Sequence, residues 1–329
     1  MIKLIVILGI TGEQGSSIAS HFLTLPSYTL RGLTRKLTSP AAQSLLSRGI
    51  SLHACDLNDP STLPSAFAGA HTIFATTDFW GPFYNPSTQS ALGPNQSLGE
   101  YCYEIELQQV KNIFDAAAKT EGLQRLVIST LVDVQTLSGG RYENVFHCDG
   151  KARGVAYGRA KYPELWGKVD QAFVPNYMSN WLGKIKLRKE EDGSWRLGLV
   201  GTGARPLPHL DVEADLGAIV AAILEGRPGK KVLAAGDMVS WSDQMRIWCE
   251  MNKVPFGGFD SLPIEVFDKF FPIPGLGREL GEMMEFMEVF GYVGGDPEVV
   301  LPGQLESPPK LTSWREYVEK HEWSSILNA

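Results

Sequence analysis

Apolar residues in the first half of the chain fall into short unbroken runs. Each run is closed by glycine or polar residues and followed by a stretch with helical spacing. Leu4–Leu8 is the first, long enough for one strand buried on both faces. The runs at Tyr28–Thr34, Ser51–Ala54, Thr72–Ala75 and Leu126–Ser129 predict strands two to five. Between them, Ser16–Leu23, Gln43–Ser47, Pro60–Phe67 and Leu107–Ala118 carry helical patterns. Strands alternating with helices predict parallel pairing, because each crossover helix returns the chain to the same edge.

The second half is less regular. Asp170–Pro175 reads as a strand, with a helix from about Tyr177. Residues 186–200 read as a charged turn leading into a polar hairpin. Asp215–Leu224 has an amphipathic helical pattern, Lys231–Ala235 a strand pattern and Ser242–Asn252 a helical one. From Phe256 the chain is rich in Gly, Pro, Phe and Met, with Met283, Phe286, Met287 and Phe290 at helical spacing. The whole predicts an α/β fold: a Rossmann doubly wound parallel sheet with a smaller, mostly helical C-terminal lobe. Residues 1–170 are expected to form the Rossmann domain, with strands from 170–240 completing its sheet. Residues 176–210 and 255–329 are expected to form the smaller lobe, available to bind a substrate.

The turn after the first strand carries the strongest chemical signal. Gly9, Gly12 and Gly15 stand between an apolar strand and a helix. That arrangement receives a dinucleotide pyrophosphate, since a helix N-terminus offers unpaired N–H groups and the positive end of a dipole. Gly9 permits the tight turn, Gly12 lets the phosphates approach the backbone, and Gly15 lets helix and strand pack closely. Strand two ends at Arg35 and Lys36, where an acidic residue would bind a ribose 2′-hydroxyl. Two cations suit a 2′-phosphate, so the expected cofactor is NADP(H). Asp56 and Leu57 follow strand three and lie near the adenine in this fold; Asp56, Asn58 and Asp59 also suit helix capping. Thr76, Thr77, Asp78, Phe79 and Trp80 follow strand four, on the nicotinamide side. Their aromatic rings either wall the pocket or pack.

With 43% hydrophobic residues the chain can fill a full core, and its net charge of −7 argues against direct contact with nucleic acid. Four cysteines in no paired spacing read as reduced thiols of a cytoplasmic protein. No run is long enough to cross a membrane. No G-x-S-x-G elbow is present, and the six histidines fall in no metal-binding spacing.

At this point the chain resembles the NmrA-like family, atypical short-chain dehydrogenase relatives related to isoflavone reductase. The opening G-A-T-G-x-Q-G pattern appears as Gly9-Ile10-Thr11-Gly12-Glu13-Gln14-Gly15, and T-[ND]-[FY]-W as Thr77-Asp78-Phe79-Trp80. The pattern L-[ST]-G-G-[KR]-Y appears as Leu137 to Tyr142, and H-F-D-[GS]-K as His147-Cys148-Asp149-Gly150-Lys151. P-x-x-Y-M-x-N appears as Pro175 to Asn180, and D-V-x-x-D-[IL]-G as Asp211 to Gly217. The similarity spans most of residues 1 to 255; the last seventy or so are expected to match poorly and to carry substrate specificity.

The resemblance implies NADP(H) bound by the glycine turn from Gly9 to Gly15, Thr11, Glu13 and Gln14 included. It implies further contacts from Ser129, Pro175, Asn176 and Tyr177, with Lys151 beside the nicotinamide ribose. A lysine there supplies positive charge to a developing oxyanion. His147, four residues earlier, shares the Lys151 face of a helix and is a candidate proton donor. Tyr157-Gly158-Arg159-Ala160-Lys161 has the Tyr-x-x-x-Lys spacing of typical short-chain dehydrogenases and competes for the catalytic role. Tyr142 and Tyr177 are further candidate pocket hydroxyls. The activity so implied is NADP(H)-dependent reduction of a C=O, C=N or conjugated C=C bond in a small organic molecule. The alternative is an NADP(H)-sensing regulator acting through a protein partner.

Overall fold

In the computed structural model, which describes residues 2–328, the apolar runs of the first half lie side by side. They form β1 (Lys3–Ile7), β2 (Tyr28–Thr34), β3 (Ser51–Ala54), β4 (Thr72–Ala75), β5 (Arg125–Thr130) and β6 (Val169–Phe173). Then follow β7 (Asn176–Tyr177), β8 (Leu187–Lys189), β9 (Trp195–Val200), β10 (Leu207–Leu210) and β11 (Lys231–Leu233). The last three are β12 (Asp237–Val239), β13 (Phe256–Leu262) and β14 (Val299–Val300). The main sheet runs β14-β11-β6-β5-β4-β1-β2-β3, and every pair in it is parallel. This is a doubly wound Rossmann sheet. The chain reverses direction across it between β1 and β4, where a crevice opens at the strand C-termini.

Alternation along β1 feeds both layers. Ile5 and Ile7 pack with Ile18, Phe22, Leu216 and Val220, on the helices Glu13–Phe22 and Val212–Glu225. Val6 and Leu8 face the opposite layer, with Val110, Phe114 and Val155 of the helices Leu98–Ala117 and Phe146–Lys161. These last two helices run parallel and very close. A Cβ at Gly154 would strike Val110, and one at Gly158 would strike Phe114.

Three expectations about the second half change. The C-terminal helices, chiefly Leu276–Phe290, are accompanied by two three-stranded sheets, β12-β10-β7 and β13-β9-β8. Nor is the tail confined to the lobe: β14 pairs with β11 and extends the main sheet. The helix expected from about Tyr177 is a short 3₁₀ turn, Met178–Leu182.

Candidate active site

The glycine turn is built by close approach. Gly9 has φ +63, a conformation that side chains rarely adopt, and a Cβ at Gly15 would collide with the Gly9 carbonyl. Gly12 is the N-cap of the Glu13–Phe22 helix and provides no side-chain cap, so the first-turn N–H groups face the crevice unserved. Thr11 lies exposed in the same turn. Gln14 donates from Nε2 to the Tyr177 phenol at 2.8 Å, while its buried Oε1 has no partner. This bond ties the turn to β7, and burial pushes the Tyr177 phenol up to about 12. Pro175 is buried before β7, and the Asn176 amide lies 4.0 Å from the Met287 sulfur.

The residues after β2, β3 and β4 line the same edge. Arg35 and Lys36 are exposed, and neither forms an ion pair among the described residues. Asp56 accepts from the Asn58 N–H at 2.9 Å; the cap of the following turn is Asp59, whose carboxylate accepts from the Ser61 N–H at 3.0 Å. The Leu57 carbonyl and the Asn58 side chain are held by Asn112 and Gln109, at 2.8 and 3.0 Å. The Thr76 methyl abuts Gly9. Asp78 is exposed and accepts from the Gly81 N–H at 2.9 Å, while Phe79 is buried. Ser129 is buried near the end of β5.

At the centre, the Lys151 ammonium donates to Glu106 Oε1, which also accepts from the Thr77 hydroxyl at 2.7 Å. Glu106 is fully buried, and its Oε2 has no partner. The Leu98–Ala117 helix delivers it. A capping box joins Ser97 and Glu100 at that helix's first turn, and Gly150 leaves room beside the carboxylate.

His147 is equally enclosed. Its backbone N–H and its ring Nδ1 both bond Glu279 Oε1 at 2.8 Å, and its ring packs against Trp80, centroids 5.1 Å apart. Burial opposes charge on this ring. The adjacent Cys148 sulfur and the Glu279 carboxylate outweigh it and raise the ring to about 10. One helical turn beyond Glu279, Glu282 accepts from the Asn144 backbone and side-chain N–H groups at 2.9 and 2.6 Å. The C-terminal helix thus fixes the turn that starts the Phe146–Lys161 helix. Tyr142 is buried against Phe286 and Phe290, its hydroxyl unpaired.

Tyr157 is not brought to this group. Its phenol donates to Asp115 at 2.7 Å, where Lys161 and Tyr162 also bond. Six residues along one helix put it about 9 Å from Lys151 along the axis. The parallel helix pair carries it away from the strand C-termini, so Tyr157 and Lys161 belong to a surface network. Conversely, Glu106 and Glu279 carry no motif. The Ser97-x-x-Glu100 signature could have marked the helix that bears Glu106. No group of three or more His, Cys, Asp or Glu among the described residues is arranged to hold a metal, and no helix there is long and apolar enough to cross a membrane.

A parallel doubly wound sheet with an uncapped glycine turn at its switch point defines a protein of the Rossmann class. The NmrA-like family model matches residues 1–322, and the chain belongs to that family. That match corrects the expectation that the last seventy residues fall outside the pattern. The chain is 30% identical over 268 residues to the NmrA-like family domain-containing oxidoreductase himF of Aspergillus japonicus, covering 76% of this chain and 73% of that one. It is 25% identical over 249 residues to the NmrA-like oxidoreductase cpsB of Aspergillus campestris, covering 72% and 69%. Among solved structures it superposes on Nmra, a negative transcriptional regulator in complex with NADP. The TM-score is 0.69 at 16% identity, over 97% of this chain and 95% of that one. The NADPH-dependent quinone oxidoreductase QOR2 of Escherichia coli superposes with TM-score 0.64 at 17% identity, over 95% and 98%.

Proposed function

We propose that the protein is an NADP(H)-dependent oxidoreductase that reduces a C=O, C=N or conjugated C=C bond of a small organic molecule. The observation that carries this reading is the pairing of two features at one sheet edge: the uncapped glycine turn, and a lysine ammonium anchored by the buried Glu106. The residues fit a dinucleotide. The turn leaves N–H groups for a pyrophosphate, Gln14 Oε1 and Glu106 Oε2 are buried acceptors without donors, and Arg35 and Lys36 are free to meet a 2′-phosphate. The curated relatives are named as oxidoreductases, and NADP is bound by the Nmra neighbour.

When bound, the reduced nicotinamide supplies the hydride. Lys151 does the electrostatic work: Glu106 and Thr77 fix its ammonium so that charge developing on the substrate meets a preorganised cation. Glu279 holds His147 Nδ1 and so fixes the ring, and Nε2, which lies 3.4 Å from the Cys148 sulfur, is the atom from which a proton can leave. Trp80 and Phe79 exclude water on that side.

The test is a screen of carbonyl, imine and enone compounds for NADPH absorbance loss. It is followed by the double variant Lys151→Met with Glu106→Gln, which leaves no unpaired buried carboxylate. Turnover should fall further than NADPH affinity, because the ammonium acts on the transition state. If no compound in the screen consumes NADPH, the oxidoreductase reading fails; wild-type turnover in the double variant removes Lys151 from the mechanism.

A further inference from the structure

We propose that a cavity between the first turns of the Leu98–Ala117 and Phe146–Lys161 helices binds an aliphatic polyamine. Its volume is about 560 Å³, within the roughly 300–1,000 Å³ of small-molecule sites. Residues 93–96 and Gln135 also line it. The cavity is separate from the crevice. Asp149 and Arg153 line it, and they stand two residues either side of Lys151, so they occupy the opposite face of their helix.

The lining carries surplus negative charge. Four carboxylates, of Glu100, Glu104, Glu143 and Asp149, face one cation, Arg153. That guanidinium is already engaged: it donates to Asp133 at 3.0 Å, to the Gln135 side chain at 2.6 Å and to the Tyr103 phenol at 3.2 Å. Asp149 is the decisive group, with a side chain only 4% exposed. Its Oδ1 accepts from the Val134 and Gln135 N–H groups at 2.7 and 3.3 Å. Its other oxygen accepts no hydrogen bond among the described residues, and the nearest Arg153 nitrogen stands off at 3.8 Å. Burial and the nearby Asp133 push this carboxyl up to about 6, as befits a buried acid short of counter-charge. Glu143 is exposed and forms no ion pair among the described residues. Glu100 and Glu104 accept from the Ser97 N–H and the Gln96 amide, at 2.7 and 2.9 Å, and neither donor carries charge.

The arrangement selects the kind of cation. These carboxylates do not converge on a point, since no group of three or more His, Cys, Asp or Glu among the described residues could hold a metal ion. A compact divalent ion therefore does not fit, whereas ammonium groups spread along one chain do. The Tyr103 and Phe146 rings, centroids 6.3 Å apart, offer apolar surface to the methylene segments of such a chain, and an ammonium is attracted to a ring face.

The experiment is a calorimetric titration of the full chain with spermidine at low ionic strength. It uses no cofactor, so its result stands apart from the oxidoreductase reading. One saturable site is expected. Butylamine, with a single ammonium, should bind about tenfold more weakly or worse, and magnesium chloride at matched ionic strength should not compete. Asp149→Asn keeps an oxygen for the Val134 N–H and should weaken spermidine about tenfold or more. Glu143→Gln lies on the surface, should weaken it about two- to fivefold, and decides the matter if Asp149→Asn does not fold. The proposal is overturned by the absence of saturable binding, by equal affinity for butylamine, by competition from magnesium, or by wild-type affinity in the deciding variant.

Discussion

Glu106 has no exposed surface, yet one of its carboxylate oxygens serves both Lys151 and Thr77 and the other serves nothing. Removing one partner of a buried ion pair leaves a charge with no compensation, at a cost of about 3–5 kcal/mol. Lys151→Met and Glu106→Gln should each cost about that much, whereas the double variant should cost much less than their sum. Urea denaturation of the four proteins checks this, and additive losses would mean the two side chains act separately. At the other end of the crevice, Arg35→Ala should weaken NADP(H) by about 10- to 150-fold, one lost charge-assisted hydrogen bond, and barely alter NAD(H). Titration of both cofactors decides it; equal wild-type affinities would remove the 2′-phosphate from the picture. The glycine turn and the residues Lys151 and His147 were legible because each lies in a local pattern. Glu106 and Glu279 were not. Their partners stand 45 and 132 positions away along the chain, and a glutamate inside a helical run reads as a solvated face.

The helix pair Leu98–Ala117 and Phe146–Lys161 sets the distance between Glu106 and Lys151. Gly150, Gly154 and Gly158 recur every fourth residue, so they share one face, and the partner helix lies against it. Gly154→Val would drive a branched side chain into Val110. Overpacking of this kind costs roughly 1–3 kcal/mol, and here it also spreads the helices that carry the ion pair. Melting temperature and NADP(H) affinity should therefore fall together; loss of stability with unchanged affinity would show that the separation is not critical. Strand boundaries were read closely wherever an apolar run met a turn, as at β2, β3 and β4. The Leu98–Ala117 helix was read as starting at Leu107. Its first turns place Tyr101, Tyr103 and Ile105 at alternate positions, a strand-like period that tertiary packing overrides. The Phe146–Lys161 helix shows no apolar stripe, and its three glycines give no local sign of the close partner that they accommodate.

Across the whole molecule the last third is woven into the first. Trp314 is fully buried against Trp181, centroids 4.8 Å apart, and its indole N–H donates to the Gln244 carbonyl at 2.9 Å. Trp314→Ala should cost about 3–5 kcal/mol. Glu279, Glu282 and β14 also join the lobe to the sheet, so unfolding should remain a single transition by tryptophan fluorescence and far-UV circular dichroism. Two separated transitions would mean the lobe melts alone. Residues 255–329 were read as part of a substrate lobe, and the pairing of β14 with the main sheet was not foreseen, because composition carries no record of which sheet edge a two-residue strand will join. That small strand has a bearing on synthesis. A chain leaving the ribosome exposes β11 as an unpaired edge until Val299 and Val300 emerge, and His147 waits equally long for Glu279. The nascent protein therefore passes through a stage in which its nucleotide-binding half is formed while one border remains open to pairing with other chains.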